Sequence, residues 1–411
     1  MKDRINRLVI FTAHYPYTNG ESFLEDEMKY VARLFKEIVI VTLEKNPTSS
    51  CYYIPKHAKI IECRRNTKRF EGLLKAVLHV LQPSAIGELC WGCREQGVKK
   101  FLFLIKRMLI TERNITYIEK TKTEWYSDKK TLYYAYWLDS EATYLSRIRE
   151  QLNGICIART HGQDCFFDRD YHPYRRLQLR SLDAIYPISG AGKCDILEHY
   201  GHLVEGLYAK VSTIYLGVHF TKNKVNPWTK ACEATIVSCA EVKRLKRIDL
   251  LIDALAILDI PIHWIHFGEG ELMNSIIQYA NQQLGSKRNV RYEFTGRVLK
   301  SEIMKFYETH SVDLLVNTSD QEGIPVSIME AMAYGIPVIA RNIGGNSELV
   351  DNTCGVLLNS AAKAEDVAVA IKNIICLNVD QRERLSQCAQ TRISDNFSDA
   401  KNFEKLYSKY L

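Results

Sequence analysis

Residues Asp313–Ala340 read DLLVNTSDQEGIPVSIMEAMAYGIPVIA. Two apolar runs, Asp313–Asn317 and Pro337–Ala340, flank a stretch over Pro325–Tyr334 that is rich in helix formers. Gly323-Ile324-Pro325 opens that helix, with Pro325 suited to its first turn. Strand, helix and strand in immediate succession, with nearly continuous apolar strands, are the mark of a parallel sheet covered on both faces.

The same alternation extends in both directions. In the second half, strands are expected at Thr235–Cys239, His263–Phe267 and Val290–Phe294. Helices are expected at Ile248–Leu258, Glu271–Leu284, Ser301–Glu308 and Asp366–Cys376. In the first half, strands fall at Arg7–Phe11, Ile38–Leu43, Leu132–Tyr136, Ile155–Arg159 and Ala184–Ile188. Helices fall at Glu21–Phe35, Glu71–Leu81, Gln96–Ile110, Ser140–Leu152 and Gly190–Tyr200. The non-periodic Leu216–Lys230 separates the halves. The expected fold is α/β, with two doubly wound, Rossmann-like domains facing each other across a cleft. The domains are 1–215 and 231–395, with a hinge over 216–230. A last helix over 396–411 has no strand partner of its own and is free to return to the first domain.

Composition agrees. A chain of 411 residues suits about two domains. No apolar stretch approaches the roughly 20 residues of a membrane-spanning helix. The apolar run Leu8–Phe11 is too short for an export signal, so a reduced cytoplasmic chain is expected and the 12 cysteines are read as unpaired. Cys90-Trp-Gly-Cys93 has no second pair to complete a metal or redox site. Residues 51–130 hold 17 Lys and Arg against 8 Asp and Glu, so one segment supplies the whole basic excess of the chain. No G-x-G-x-x-G opens a helix and no G-x-x-x-x-G-K-[ST] occurs, which removes the support for a dinucleotide dehydrogenase or a P-loop NTPase.

The chemistry concentrates around Gly323. Unpaired amides at a helix start form an anion site favoured by the helix dipole. Glu322 precedes the start and Glu330 lies within the helix, so a phosphate bound at the turn has a carboxylate on each side. A glycosidase pair would hold its carboxyls ~5–9.5 Å apart across one bond. Eight residues of helix rise ~12 Å, so these two need not meet. Carboxylates that bind hydroxyls on either side of a diphosphate fit better. On spacing alone, a cap and a solvated helix residue remain an alternative.

Glu322-x7-Glu330 within EGIPVSIMEAMAYGIPVIA resembles the signature of retaining glycosyltransferases of family 4, which have the GT-B fold. Asn342–Val350 (NIGGNSELV) is similar to that family's G-G-x-x-E-x-[IV] segment, and Ser238–Leu255 to its strand–loop–Lys–helix element. Phe267-Gly268-Glu269-Gly270 and Phe294-Thr295-Gly296-Arg297-Val298 resemble two of its turns. The likeness covers residues 211–360. In the first half it is weaker: Pro16–Glu25 resembles a glycine loop and Arg159–Asp164 (RTHGQD) a histidine motif at the cleft.

The resemblance implies roles. Glu322 contacts donor-sugar hydroxyls, Glu330 the nucleotide ribose, and Lys246 neutralises the leaving diphosphate. His161 lies near the reacting carbon, where a turn histidine is the plain alternative. Amides of Gly323, Ile324, Val326 and Ser327 face the diphosphate. Gly20 lets backbone approach it, and Gly268, Gly296 and Arg297 line the donor site. Family members carry an Arg where this chain has Glu241, and Arg244 or Arg247 is the candidate replacement. Glu348 is expected to be structural. The implied reaction is sugar transfer with retention from a UDP- or GDP-sugar to a glycan or polyprenyl-linked acceptor, as in capsule, exopolysaccharide or lipopolysaccharide synthesis. No cofactor or metal is expected, and Asp168-Arg169-Asp170 is read as a solvated loop rather than a metal motif. A same-fold epimerase and a non-catalytic nucleotide-sugar-binding subunit are the alternatives. Leu73–Leu81 and Val98–Leu109 interleave lysines with large apolar residues, so peripheral contact with anionic membrane through 51–130 is expected. No nucleic-acid-binding module is visible.

Overall fold

The computed structural model describes residues 5–17, 21–44, 52–64, 72–169, 171–222 and 225–411. Among them are two six-stranded parallel sheets. The first contains β1 (Arg7–Thr12), β2 (Glu37–Thr42), β3 (Ala58–Glu62), β4 (Thr131–Ala135), β5 (Gly154–Thr160) and β6 (Ala184–Pro187), in the order β3-β2-β1-β4-β5-β6. The second contains β7 (Ala234–Cys239), β8 (Ile262–Phe267), β9 (Val290–Phe294), β10 (Leu314–Asn317), β11 (Val338–Arg341) and β12 (Gly355–Leu358), in the order β12-β11-β10-β7-β8-β9. Counted from its own first strand, each sheet runs 3-2-1-4-5-6. Each therefore reverses direction once, between β1 and β4 and between β7 and β10. In open α/β sheets a ligand sits beyond the carboxyl ends of the strands at such a reversal.

Alternation along the strands builds the core of the first sheet. Val9 and Phe11 pack on one face with Tyr133 and Ala135. Leu8 and Ile10 pack on the other with Leu132 and Tyr134. Both sets are buried because helices cover both faces, which is why these strands read as continuous apolar runs. The first four helices are α1 (Leu24–Val31), α2 (Leu73–Val80), α3 (Pro83–Gln96) and α4 (Phe101–Lys120).

The chain divides into one compact unit of Met1–Ile214 with Phe403–Leu411 and another of Tyr215–Asn402. The described part of 216–230, expected as a hinge, packs within the second unit. Asn226 explains this, since its Nδ2 donates to the carbonyls of Tyr307 and His310 and its Oδ1 accepts from the Val312 amide. The last helix is Asp399–Tyr407. Its Tyr407 hydroxyl donates to Glu27 Oε1 at 2.7 Å, and Phe403, Leu406 and Tyr407 enter the core around Leu8 and Ile10.

Four sequence expectations need correction. The helix expected over Glu21–Phe35 starts only at Leu24, because Glu21 turns back toward the backbone after β1. The helix expected over Gln96–Ile110 is α4, running to Lys120, and α3 precedes it. The helix expected from Pro325 begins at Val326, with Pro325 extended at its N-cap. Two strands, β3 and β12, and the helices Arg175–Ser181 and Val379–Asn396 were not foreseen.

Candidate functional site

In the second unit the chain leaves β7 at Cys239, makes a short 3-10 turn over Arg244–Lys246 and enters the helix Ile248–Ile257 through Arg247, whose φ is 48°. The neighbouring β10 ends at Asn317 and leads to Glu322 and the helix Val326–Ala333. These two exits flank the reversal of the sheet. Lys246 Nζ donates to Glu322 Oε1 at 2.7 Å, and Asn317 Nδ2 donates to the same oxygen at 3.2 Å. Thr318 ties the loops from below, its hydroxyl donating to the carbonyls of Lys246 and Arg247 at 3.2 and 2.8 Å. The Asp320 amide donates to the Leu245 carbonyl at 2.7 Å. The cation and carboxylate are thus fixed by backbone ties on both loops.

Glu330 is buried on the helix, 3.3 Å from Lys300 Nζ. Cys239 feels both halves of the site: burial first and then Glu330 push its thiol up to about 12, while Lys246 pulls the other way. The amides of Val326 and Ser327, at the helix start, have no intrahelical acceptor by position. Gly323 is held from outside, its carbonyl accepting from the Gly345 amide at 2.8 Å. Asn346 follows, fully buried, and donates to the Arg341 carbonyl. Glu348 accepts from the Tyr215 hydroxyl at 2.8 Å, a link within this unit that raises the phenol's pKa beyond its burial alone.

The charge reversal at Glu241 is locally balanced, with Lys243 Nζ 2.9 Å away. Of the two candidate replacements, Arg247 is engaged by Asp249 at 3.1 Å and by Asp320 at 3.4 Å. Arg244 is exposed on the 3-10 turn. Gly268 and Gly296 meet across a bridge, the Gly268 amide donating to the Gly296 carbonyl at 3.0 Å. Only glycine fits the first position: φ is 144° and a Cβ would lie 1.9 Å from the Ala240 carbonyl oxygen. Arg297 is exposed beside Glu269.

In the first unit, His161 follows β5 and is buried among the rings of Trp137, Tyr136 and Phe23, with centroids 4.2, 5.0 and 5.2 Å away. Neither ring nitrogen has a hydrogen-bond partner among the described residues. Burial, then the nearby Arg159, hold its pKa well below the ordinary value, so the ring is neutral. Its amide and that of Leu138 donate to the Asp164 carboxylate at 2.5 and 2.7 Å, which joins the ends of β5 and β4. Gly20 and Asp170 lie outside the described residues, and Asp168 is exposed.

Glu21 is one of the residues that sequence reasoning missed. It is fully buried, and its carboxylate accepts from the amides of Ala13, His14 and Tyr15 at 3.0, 2.7 and 2.5 Å. It also accepts from Trp137 Nε1 at 2.5 Å. Its only sequence signal was a place at the start of an amphipathic stretch, where a helix residue was the natural reading.

Residues 222–392 match the family described as glycosyl transferases group 1. Over 321 residues the chain is 22% identical to the O-antigen biosynthesis glycosyltransferase WbnH of Escherichia coli, spanning 74% of this chain and 81% of that one. Over 147 residues, 35% of each chain, it is 29% identical to the UDP-Gal:alpha-D-GlcNAc-diphosphoundecaprenol alpha-1,3-galactosyltransferase of Escherichia coli. Among solved structures, the lipopolysaccharide outer core galactosyltransferase WaaB superposes with a TM-score of 0.68 at 16% identity, covering 98% of this chain and 99% of that one. Anabaena Alr3699/HepE in complex with UDP-glucose gives 0.67 at 16% identity, covering 98% of each. The fold is GT-B, and the chain is a glycosyltransferase. Its second unit carries the group 1 domain, within which Lys246, Glu322 and Glu330 all fall. The epimerase and non-catalytic readings are set aside.

Proposed function

We propose that the chain moves a hexose from a UDP-sugar to a lipid-linked glycan in O-antigen or lipopolysaccharide-type synthesis, with retention at the anomeric carbon. It would work at the cytoplasmic face of the membrane. The observation that carries this reading is the Lys246–Glu322 pair at the reversal of the second sheet, beside a helix start and Glu330. The WbnH and HepE likenesses and the undecaprenol-linked substrate in the galactosyltransferase's name support the donor and acceptor classes.

In this reading the diphosphate sits at the amides of Gly323, Ile324, Val326 and Ser327 and takes Lys246 from Glu322 as its counter-cation. The freed Glu322 binds donor-sugar hydroxyls, and Glu330 binds the ribose. Each charged hydrogen bond contributes roughly 1.5–3 kcal/mol. The bond between the anomeric carbon and the diphosphate oxygen breaks, its electron pair leaving with the diphosphate. The acceptor oxygen bonds to that carbon on the same face, and its proton passes to a diphosphate oxygen. His161, which the resemblance assigns to the donor sugar, is neutral in its aromatic setting. Lys246 and the helix start supply the positive charge, so turnover should survive EDTA.

The test is transfer of radiolabelled hexose from UDP-glucose or UDP-galactose onto undecaprenol-diphosphate-linked sugars. Transfer with retained α-configuration, abolished in Glu322→Ala while UDP still binds, supports the reading. Transfer unchanged in Glu322→Ala contradicts it.

A further inference from the structure

The basic segment 51–130 is not one surface. Arg64 donates to Asn114 and Arg107 to the Tyr171 carbonyl in partly buried bonds, while Lys59 and Lys122 make exposed bonds to the Glu124 carbonyl and Gln151, away from α2. What remains is a hairpin. α2 runs antiparallel along α4: Gly72 lies beside Thr116 and Tyr117, His79 bonds Glu112, and Val80 and Ala85 join Leu104 and Met108. Ala76 is the only side chain of α2 that is fully buried. Leu73, Leu74, Lys75, Val77 and Leu78 of this nearly all-apolar helix face outward, while His79 and Val80 are partly buried. Leu102, Val98 and Leu74 are 79, 75 and 71% exposed, more than any other large apolar side chains among the described residues. Leu81 and Leu78, on the same segment as Leu74, are 64 and 56% exposed.

Soluble proteins rarely expose so many large apolar side chains on one helical hairpin without a partner for them. The charges around it indicate which partner. Residues 72–107 hold six Lys and Arg (Lys75, Arg94, Lys99, Lys100, Lys106, Arg107) against two Glu (Glu88, Glu95). Lys75, Lys99, Lys100 and Lys106 are exposed and flank the apolar residues on α2, on the turn Val98–Lys100 and on α4. Apolar side chains that insert at the acyl boundary, rimmed by lysines at headgroup level, are what an anionic bilayer surface binds. No helix among the described residues is long and apolar enough to cross a membrane, so this surface would lie on the bilayer.

We propose that the outer face of α2, together with the turn Val98–Lys100 and the first turn of α4, docks on an anionic lipid bilayer. This goes beyond the transfer reading and does not depend on it, because a protein that binds no UDP would still carry the face. A second copy of the chain is the competing occupant, and it lacks the charge argument, since the same basic rim would face itself.

The experiment is co-sedimentation of the full chain with phosphatidylcholine vesicles and with vesicles that also contain phosphatidylglycerol. The wild type should sediment with the mixed vesicles and stay in solution with the neutral ones. Leu74→Glu/Leu78→Glu should abolish sedimentation. Lys99→Glu/Lys106→Glu should weaken it by about five-fold or more for each cation lost, and high salt should do the same by screening. Val369→Glu, an exposed apolar position on the second unit, should change nothing. Unchanged melting of each variant shows that the fold is kept, and the two lysine positions are exposed enough to test the idea if the leucine variant fails to fold. The proposal is overturned if the wild type ignores the mixed vesicles, if both double variants still sediment, or if the wild type is a dimer that Leu74→Glu/Leu78→Glu converts to monomer.

Discussion

The two sheets share one strand order and use its reversal point in opposite ways. In the first unit the amides after β1 are already occupied by a carboxylate of the same chain, Glu21, which also holds Trp137. In the second unit the corresponding place holds Lys246, paired with the Glu322 side chain, which a diphosphate displaces in the proposed reading. Topology puts an anion site at both places. The residues make one a structural knot, and the proposed reading makes the other the donor site.

That contrast can be broken most severely at Lys246. Lys246→Met should lower turnover by about 10²–10³, the range for losing one preorganised charge at a developing anion, with melting changed little because the side chain is partly exposed. Single-turnover kinetics would check it, and a variant with wild-type turnover would put the diphosphate elsewhere. Glu21→Ala should behave in the reverse way. Four donors lose their acceptor, the Tyr15 amide buried and the other three partly buried; at about 1–3 kcal/mol for a buried group left unsatisfied, a stability loss of about 3 kcal/mol is expected. UDP affinity of the folded protein should stay the same. Urea unfolding and titration of one sample read both.

A smaller effect should appear as pH dependence. Burial, then the neighbouring Asp139, push the Glu141 carboxyl up to about 8. Its folded value lies above its unfolded one, so the folded state binds the proton more tightly. The stabilisation is fully present below about pH 4.3 and is lost as pH rises toward 8. Glu141→Gln should flatten the melting temperature between those values. An unchanged slope would show that another group carries it.

The interior strands were legible because burial on both faces writes a continuous apolar run. The two strands that escaped, β3 and β12, are the outer strands beside β2 and β11. Only one residue of each is buried, so the run is broken by half-exposed positions. The helix Val379–Asn396 escaped for a related reason: Arg382, Ala389 and Ile393 alone are buried, and its sequence is almost wholly polar. Within the candidate site, Lys246, Glu322 and Glu330 were singled out in the sequence because motif spacing and chemistry coincide there, and the structure pairs the first two. Glu21, Asn317 and Thr318 were not, since their partners are backbone groups or side chains that only the folded sheet brings within reach.

The most direct measurement is calorimetric titration of UDP into the wild type, Glu330→Ala and Trp137→Ala. If the nucleotide occupies the reversal of the second sheet, Glu330→Ala should weaken UDP by about 10- to 100-fold, the value of one charged hydrogen bond, while Trp137→Ala leaves it unchanged. Equal affinity in Glu330→Ala and the wild type, or a loss confined to Trp137→Ala, would contradict that placement.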